Sequence, residues 1–351
     1  MSIYNGNLKI SIFGESHGKY LGFTIHNFPS NITLNIEKIK NDLLRRSFSY
    51  PGKSKRNEAD EFEIISGYFN NKTTGAPLTF VLKNADVNSK PYEDNKGIAR
   101  PSHGDLTAFI KYQGANDYRG GGHLSGRLTS LYTIIGSICE EELNKKNIYL
   151  YTQIKSIHQI VDDSIINDFK RLDSPFPVYD QKIREMMINF INNLNDDSVG
   201  GIVASYVLGV PAGIGSPLFN SVESVISKLI FSIPGVKGIE FGKGFAITKA
   251  YGSEVNDEME YRDGKIHFLS NNSGGIQGGI TNGEVINFQI ALKPTPSIHK
   301  PLKTINYLTK ENVILETSGR HDATFVPKAA HVIKSLTALA IYDLLLGDID
   351  G

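Results

Sequence analysis

Three short segments of the sequence place a histidine beside polar residues and close to a glycine. The first, GESHGKYLG, sets a carboxylate, a hydroxyl and the imidazole of His17 side by side between two glycines. Glycine permits a tight bend and the close approach of a ligand, so the segment predicts either a site or a surface turn after the strand over 8–13. The other two are RPSHGD, with His103, and TSGRHD, with Asp322. Three such segments in one chain favour a shared site.

Basic side chains accompany these segments. Arginine binds carboxylates and phosphates through a planar fork, and histidine with aspartate can transfer protons near neutral pH. A basic run over 44–57, LRRSFSYPGKSKRN, contains no acid and is typical either of a solvated loop or of a site for a small polyanion. The candidate cations are Arg46, Lys53, Lys55, Arg100, Arg127 and Arg320. From the residues alone we predict an acid–base enzyme that acts on a small polyanion.

A glycine-rich segment, DYRGGGHLSGRLTSLYTIIGSIC, runs into an apolar pattern with helical spacing. The spacing places Ser125, Gly126 and Arg127 near the N-terminus of a helix, where free N–H groups and the helix dipole favour an anion. A glycine-rich turn into a core helix is the alternative. The segment matches neither a P-loop nor a GxGxxG fingerprint, so it indicates only a phosphate-like or nucleotide-like ligand.

Composition and missing motifs exclude several classes of function. Lys+Arg 37 balances Asp+Glu 37, which argues against nucleic acid or an anionic membrane as the partner. The single cysteine, Cys139, excludes an intramolecular disulfide and a thiolate zinc cluster. No HExxH motif or acidic cluster suggests a metal, and GESHG lacks the GxSxG elbow of serine hydrolases. We expect a cytoplasmic protein, since neither a signal peptide nor an apolar run of ~18 residues is apparent.

The distribution of strand and helix patterns favours a single α+β domain over 1–351. Segments rich in β-branched and aromatic residues predict strands over 62–69, 76–82, 201–210, 236–250 and 284–292. Apolar residues at helical spacing predict helices over 182–194, 222–233 and 327–346. The halves 1–150 and 200–351 look faintly alike, which suggests an internal duplication.

Taken together, the segments resemble the chorismate synthase family. The resemblance is carried, in chain order, by GESHG, DLLRR, SGYFNNKTTGAPL, RPSHGD, YRGGGHLSGR, VPAGIG, SIPGVKGIEFGKGF, NNSGGIQGGITNG, KPTPSI and GRHD. It implies a β-α-β sandwich that assembles into a homotetramer. It also implies a lyase of aromatic biosynthesis that removes phosphate and a ring proton from 5-enolpyruvylshikimate 3-phosphate in a 1,4-anti elimination. Reduced FMN would be the cofactor, with NADPH as a candidate reductant.

The resemblance also assigns roles to residues. His17 would be the acid at the leaving phosphate, His103 would protonate or hydrogen-bond the flavin, and Asp322 would assist proton removal. Arg46, Arg127 and Arg320 match substrate-binding positions, with Arg100 beside them, and Lys53 or Lys55 would replace a further arginine. The flavin would contact Leu124, Ser125, Gly126, Gly235, Gly278, Lys293, Pro294, Thr295, Pro296, Ser297 and Arg320.

The chain departs from the family pattern at a few positions, and two other functions remain open. Pro234-Gly235 stands where Asn-Ala is frequent, Ala323-Thr324 where Pro-Cys is usual, and Lys334 where glutamate is common. One alternative is a flavin-independent phosphatase that uses His17 covalently. The other is a protein that binds flavin or a nucleotide without catalysis.

Overall fold

The structure is a computed structural model that describes residues 2–48, 60–84, 89–316 and 322–348. The strands of the first half are β1 (Ile3–Asn5), β2 (Lys9–Gly14), β3 (Tyr20–His26), β4 (Phe62–Ser66), β5 (Tyr68–Phe69), β6 (Lys72–Thr73) and β7 (Leu78–Lys83). Those that follow are β8 (Tyr149–Ile157), β9 (Ile160–Val161), β10 (Gly201–Leu208), β11 (Val236–Phe241), β12 (Met259–Arg262), β13 (Lys265–Phe268), β14 (Ile276–Gln277), β15 (Ile280–Thr281), β16 (Ile286–Leu292), β17 (Leu302–Asn306) and β18 (Glu311–Leu315). The helices are α1 (Ile36–Arg46), α2 (Lys90–Asp94), α3 (Asp105–Lys111), α4 (Thr129–Asn144), α5 (Gln181–Asn192), α6 (Val222–Ile230), α7 (Gly252–Val255) and α8 (Val326–Asp348).

Two five-stranded antiparallel sheets form the outer layers of the described chain. The first has the strand order β1-β2-β3-β7-β4 and the second has the order β11-β16-β10-β8-β9. In the first sheet Phe23 pairs with Phe80 across β3 and β7, and their stacked rings lie 5.1 Å apart. Each sheet buries an apolar face against helices, as an antiparallel sheet with one covered face must do.

The layer between the sheets is made of helices, and α4 and α8 are its centre. Helix α4 packs against α1 and α8, and α8 packs in turn against α6, β8 and β10. Gly136 permits the close crossing of α4 and α8, because a Cβ at that position would lie 2.3 Å from the Cα of Ser335. Both helices are apolar around most of their circumference, which fits a position between two sheets. The predicted α+β fold is therefore confirmed as a β-α-β sandwich.

Most of the predicted elements are present, with differences at their ends. The helices predicted over 182–194, 222–233 and 327–346 correspond to α5, α6 and α8, although α8 continues through Gly347. The strand predicted over 236–250 is wrong in its second half. There, β11 ends at Phe241 and the chain forms a 3-10 turn over Gly244–Lys249, because Gly242 and Gly244 adopt positive φ angles that end the extended backbone.

Helix α8 is long and apolar enough to cross a membrane by length and composition, contrary to the expectation that the chain has no such stretch. Its most apolar window is 78% buried inside the fold, as in the core helix of a compact domain.

The two large sheets come from successive parts of the chain, and the second sheet begins with β8 at Tyr149. The internal duplication stays a prediction.

Candidate active site

A cavity of about 420 Å³ opens where the loops beside α3, α4 and α8 meet. Residues that are far apart in the sequence converge on it, from the segments around 100, 120, 235, 295 and 325. Those predicted from the sequence are Arg100, His103, Leu124, Ser125, Gly126, Gly235, Lys293, Thr295, Pro296 and Asp322. The fold therefore gathers two of the three candidate proton-transfer groups with much of the predicted flavin contact surface.

The loop that carries His103 is attached to the loop over 293–297 by two hydrogen bonds. The Nε2 atom of His103 lies 2.8 Å from the Oγ of Ser297. The Nζ of Lys293 donates to the carbonyl oxygen of Ser102 over 2.6 Å. Ser102 itself adopts a positive φ of 60°, so the backbone turns sharply just before the histidine. These contacts hold the His103 imidazole at the wall of the cavity.

Two charged pairs shape the rim of the cavity. Arg100 donates two hydrogen bonds of 2.7 Å to the carboxylate of Asp105. Burial opposes the charged form of Asp105, but the hydrogen bond and the charge of Arg100 outweigh it and lower the pKa of Asp105 below its usual value. Asp117 accepts two bonds of 2.9 Å from Arg119, which likewise lower its pKa. The cavity thus keeps ionised carboxylates at its edge.

The loop over 293–297 contributes two groups suited to a ligand. Burial, and then the neighbouring charge of Lys237, lower the pKa of the Lys293 ammonium. The backbone carbonyl of Thr295 accepts a 2.5 Å hydrogen bond from Ser198, whereas its side-chain Oγ1 is buried and has no partner among the described residues. A buried hydroxyl without a partner beside a cavity is a natural contact for a bound molecule.

Beside the loop over 293–297, part of the cavity wall is apolar. Gly235 has a φ of 96°, and a Cβ there would lie 2.3 Å from the Cζ of Phe325, so glycine makes room for that ring. Ile233 and Val332 continue the surface. A largely apolar lining with a few placed polar groups is the usual composition of a cofactor pocket. Gly235 thus leaves room for the ring of Phe325 at the wall of the cavity.

His17 lies at the rim of this cavity, next to Gly120. The glycines 120–122 all have positive φ angles, of 59°, 85° and 54°, and form the bend that the sequence predicts. A Cβ on Gly120 would lie 2.4 Å from the Nε2 of His17, and Gly120 itself lines the cavity. The Nδ1 atom of His17 lies 2.8 Å from the Oγ of Ser89. Ser89 thus contacts the ring of His17 at one nitrogen, and the absence of a side chain at Gly120 leaves space for the ring at the site.

Arg46 and Arg127 lie behind the cavity wall and share a buried carboxylate. Arg46 is 1% exposed and contacts Asp60 through Nη1 at 3.2 Å and Thr129 through Nη2 at 3.1 Å. Arg127 forms an ion pair with the other oxygen of Asp60. Since Gly126 and Thr129 line the cavity, the two guanidinium groups support its wall from within. Ser125 and Arg127 immediately precede α4, as predicted.

The other predicted residues lie at the periphery or outside the described chain. Gly278 is exposed in the β14–β15 hairpin and is not among the residues that line the cavity. Pro294 and Ser297 are likewise absent from the lining, although Ser297 contacts His103. Lys53, Lys55 and Arg320 lie outside the described residues.

Several residues of the site were not found by sequence reasoning. They are Asp60, Ser89, Tyr92, Asp117, Thr129, Phe325 and Lys328. Asp117 lies three residues before the glycine run at 120–122, so its place in the sequence could have marked it as a site residue. The others have no local pattern that marks them, because their contacts are made across long sequence separations.

Comparison with known proteins gives a consistent result. The chain matches the family described as chorismate synthase over residues 8–346. It is 40% identical to chorismate synthase from Thermococcus kodakarensis, covering 97% of this chain and 96% of the relative. It is 41% identical to that from Lachnoclostridium phytofermentans, covering 98% and 95%. A solved crystal structure of a chorismate synthase superposes with a TM-score of 0.75 at 27% identity, covering 98% of this chain and 93% of the other.

The fold is a β-α-β sandwich of the α+β class, and its cavity has the size of a site for a small molecule. The matches extend over nearly the whole length of the chain and of its relatives. The chain belongs to the chorismate synthase family, whose members are lyases.

Proposed function

We propose that the chain converts 5-enolpyruvylshikimate 3-phosphate to chorismate in the shikimate pathway, with reduced FMN as the cofactor. In this 1,4-anti elimination a ring C–H bond and the C–O bond to phosphate break, and a second ring double bond forms. The observation that carries the proposal is the single cavity that gathers His103, Asp322 and the loop over 293–297 beside His17. These are the positions to which the family resemblance assigns catalysis and flavin binding.

The residues present fit a flavin. The cavity volume of about 420 Å³ lies within the roughly 300–1,000 Å³ that is usual for ligand pockets. The apolar wall around Phe325 suits the face of an aromatic ring system, and the unpartnered Oγ1 of Thr295 offers a hydrogen bond to it. Lys293 and Lys328 would face its negative charge. Reduced FMN would supply electron density to the substrate as phosphate leaves.

Proton transfers are assigned to three side chains of this chain. The Nε2 edge of His17 faces Gly120 at the cavity rim, where it would donate a proton to an oxygen of the departing phosphate. The His103 imidazole, held by Ser297, would hydrogen-bond the bound cofactor. Asp322 lines the cavity and would assist removal of the ring proton. The three groups therefore share one site without competing for one role.

Positive charge in and behind the wall would retain the anionic substrate. Lys328 and Arg100 line the cavity, and Arg46 with Arg127 contributes to the field from behind it. Buried charges act through a lower effective dielectric than exposed ones and are screened less by salt. The attraction of Arg46 and Arg127 for the substrate would therefore persist at moderate salt. Lys53, Lys55 and Arg320, which the family resemblance assigns to the substrate, would add to this charge.

The test of the proposed function is product formation under anaerobic conditions with reduced FMN. We expect chorismate and phosphate to form in equal amounts from 5-enolpyruvylshikimate 3-phosphate, and neither to form when flavin is left out. Phosphate release from a simple monoester without flavin would instead support the phosphatase. Flavin binding without turnover would support the non-catalytic protein. In a parallel assay, NADPH and oxidised FMN replace the chemically reduced FMN. Product formation under these conditions would show that the chain reduces its own cofactor.

Replacement of His103 by alanine is expected to leave the fold intact and to lower kcat by roughly 100-fold or more. The imidazole is only partly buried in a loop, so its loss removes little packing, whereas loss of a proton-transfer group typically costs that factor. Steady-state kinetics in saturating reduced FMN measure the effect. His267→Ala is the matched control, since His267 is exposed on β13 and does not line the cavity. Turnover of His103→Ala equal to that of the control would remove His103 from the mechanism.

We further propose that the protein assembles as a homotetramer and is cytoplasmic, as the family relationship suggests. No nucleic acid or membrane partner is expected, because the net charge is zero. Light scattering coupled to size-exclusion chromatography measures the assembly state directly, and a monomer of 38.7 kDa would contradict the proposal.

A further inference from the structure

Ser89 occupies the N-cap position of α2 but does not cap the helix. Serine at this position usually accepts a hydrogen bond from a backbone N–H of the first turn. Here the side chain makes no such bond, and its Oγ lies 2.8 Å from the Nδ1 of His17 instead. Pro91 supplies no N–H at the second helical position, and Tyr92 N–H bonds the carbonyl oxygen of Ser89, so the hydroxyl is directed towards a side chain 72 positions earlier in the sequence.

The same short helix contacts the His17 ring a second time. Tyr92, three residues after Ser89, meets the imidazole edge to face, with ring centroids 5.2 Å apart and planes at 85°. The guanidinium of Arg100 lies 5.5 Å from the centroid of the tyrosine ring. A hydrogen bond at one ring atom and an aromatic contact on the ring restrict both side-chain torsions of His17.

The opposite edge of the imidazole faces the cavity. A Cβ on Gly120 would lie 2.4 Å from both Cδ2 and Nε2 of His17, so this edge rests against the glycine that lines the cavity. Asp117 is close enough for the charge of His17 to contribute to the lowering of its pKa, and Arg119 is paired with Asp117. The ring is thus oriented with Nδ1 towards Ser89 and Nε2 towards the reaction space.

We propose that Ser89 is a positioning residue for His17. Its Oγ accepts a hydrogen bond from Nδ1–H, so that Nδ1 keeps its proton and Nε2 is the nitrogen that gives one up. In the imidazolium form both nitrogens carry hydrogen, and when Nε2 protonates the leaving phosphate, the remaining neutral tautomer is the one that Ser89 already holds. The acid role of His17 rests on the proposed function, whereas the restraint on its tautomer and orientation does not.

The test compares Ser89→Ala with a serine that serves only its own helix. Ser221 is the N-cap of α6, and its Oγ accepts from the backbone N–H of Ser224. We expect Ser89→Ala to lower kcat about 10-fold with KM changed less than about 3-fold, and Ser89→Thr to recover most of the lost rate, because one hydrogen bond is removed and then restored. We expect Ser221→Ala to lower the thermal unfolding midpoint and to leave kcat unchanged.

A second readout needs no turnover. The ¹⁵N side-chain resonances of His17, assigned by their loss in His17→Gln, report which ring nitrogen carries the proton in the protein without flavin or substrate. We expect Nδ1–H in the wild-type neutral form and a shift towards the other tautomer in Ser89→Ala. Identical tautomer populations and identical kcat in the two proteins would overturn the proposal. If the wild type makes no chorismate, the proposed function fails, while the resonances still decide the role of Ser89.

Discussion

The Asp60→Asn variant is expected to lose about 3–5 kcal/mol of its free energy of unfolding, the cost usually found when one partner of a buried ion pair is removed. The side chain of Asp60 is 4% exposed and pairs with both Arg46 and Arg127, whose side chains are 1% and 7% exposed. Asparagine keeps the volume of the side chain and removes its charge. Two neighbouring guanidinium groups would then remain in a low dielectric without that carboxylate. The midpoint of unfolding in urea should therefore lie at a lower urea concentration than in the wild type.

A surface pair provides the matched control for this effect. Asp163 forms an ion pair with Lys155, with 2.9 Å between its Oδ1 and the Nζ, and its side chain is 82% exposed. Asp163→Asn should therefore change the free energy of unfolding by less than about 1 kcal/mol. Asp60→Glu, which retains the charge, should lie between the wild type and Asp60→Asn. Equal unfolding curves for Asp60→Asn and Asp163→Asn would show that the buried cluster is not the support that its burial and pairing indicate.

Replacement of His17 by glutamine is expected to lower kcat by roughly 10- to 1000-fold and to raise KM much less. Glutamine retains a hydrogen-bond donor at the cavity rim but cannot give up a proton to the leaving phosphate. That contribution is made mostly in the transition state, so its loss appears in kcat. Initial rates of chorismate formation across a range of substrate concentrations in saturating reduced FMN measure the two constants.

The control for this variant is His267→Gln, at the exposed histidine on β13. Flavin affinity should remain close to that of the wild type in both variants, because His17 lies at the rim of the cavity and not along its apolar wall. A His17→Gln enzyme with an unchanged kcat and a raised KM would make His17 a binding residue. The acid role would then pass to His103 or to solvent.

Those parts of the fold and the site that depend on local sequence could be predicted. Amphipathic spacing located α5 and α6, and β-branched runs located β10 and β16. The glycines at 120–122 predicted a bend because only glycine adopts three successive positive φ angles at little cost.

The remaining features depend on contacts between distant segments, which a single sequence does not encode in any local pattern. Asp60 meets its two arginines across 14 and 67 positions, and Ser89 meets His17 across 72. The basic run over 44–57 left a solvated loop and a polyanion site both open, and the family resemblance assigned Arg46 to substrate binding. The structure places Arg46 on the buried face of α1 with Leu43, a position that the run of basic residues did not indicate, and its role towards the substrate stays a prediction.

The most direct measurement of the central claim is a crystal structure of the protein with oxidised FMN and 5-enolpyruvylshikimate 3-phosphate, a pair that does not turn over. The account predicts the flavin ring in the cavity against Phe325 and Gly235, with a hydrogen bond from the Oγ1 of Thr295. It predicts the substrate phosphate within hydrogen-bond distance of the Nε2 of His17. Flavin bound outside this cavity, or a phosphate remote from His17, would contradict it.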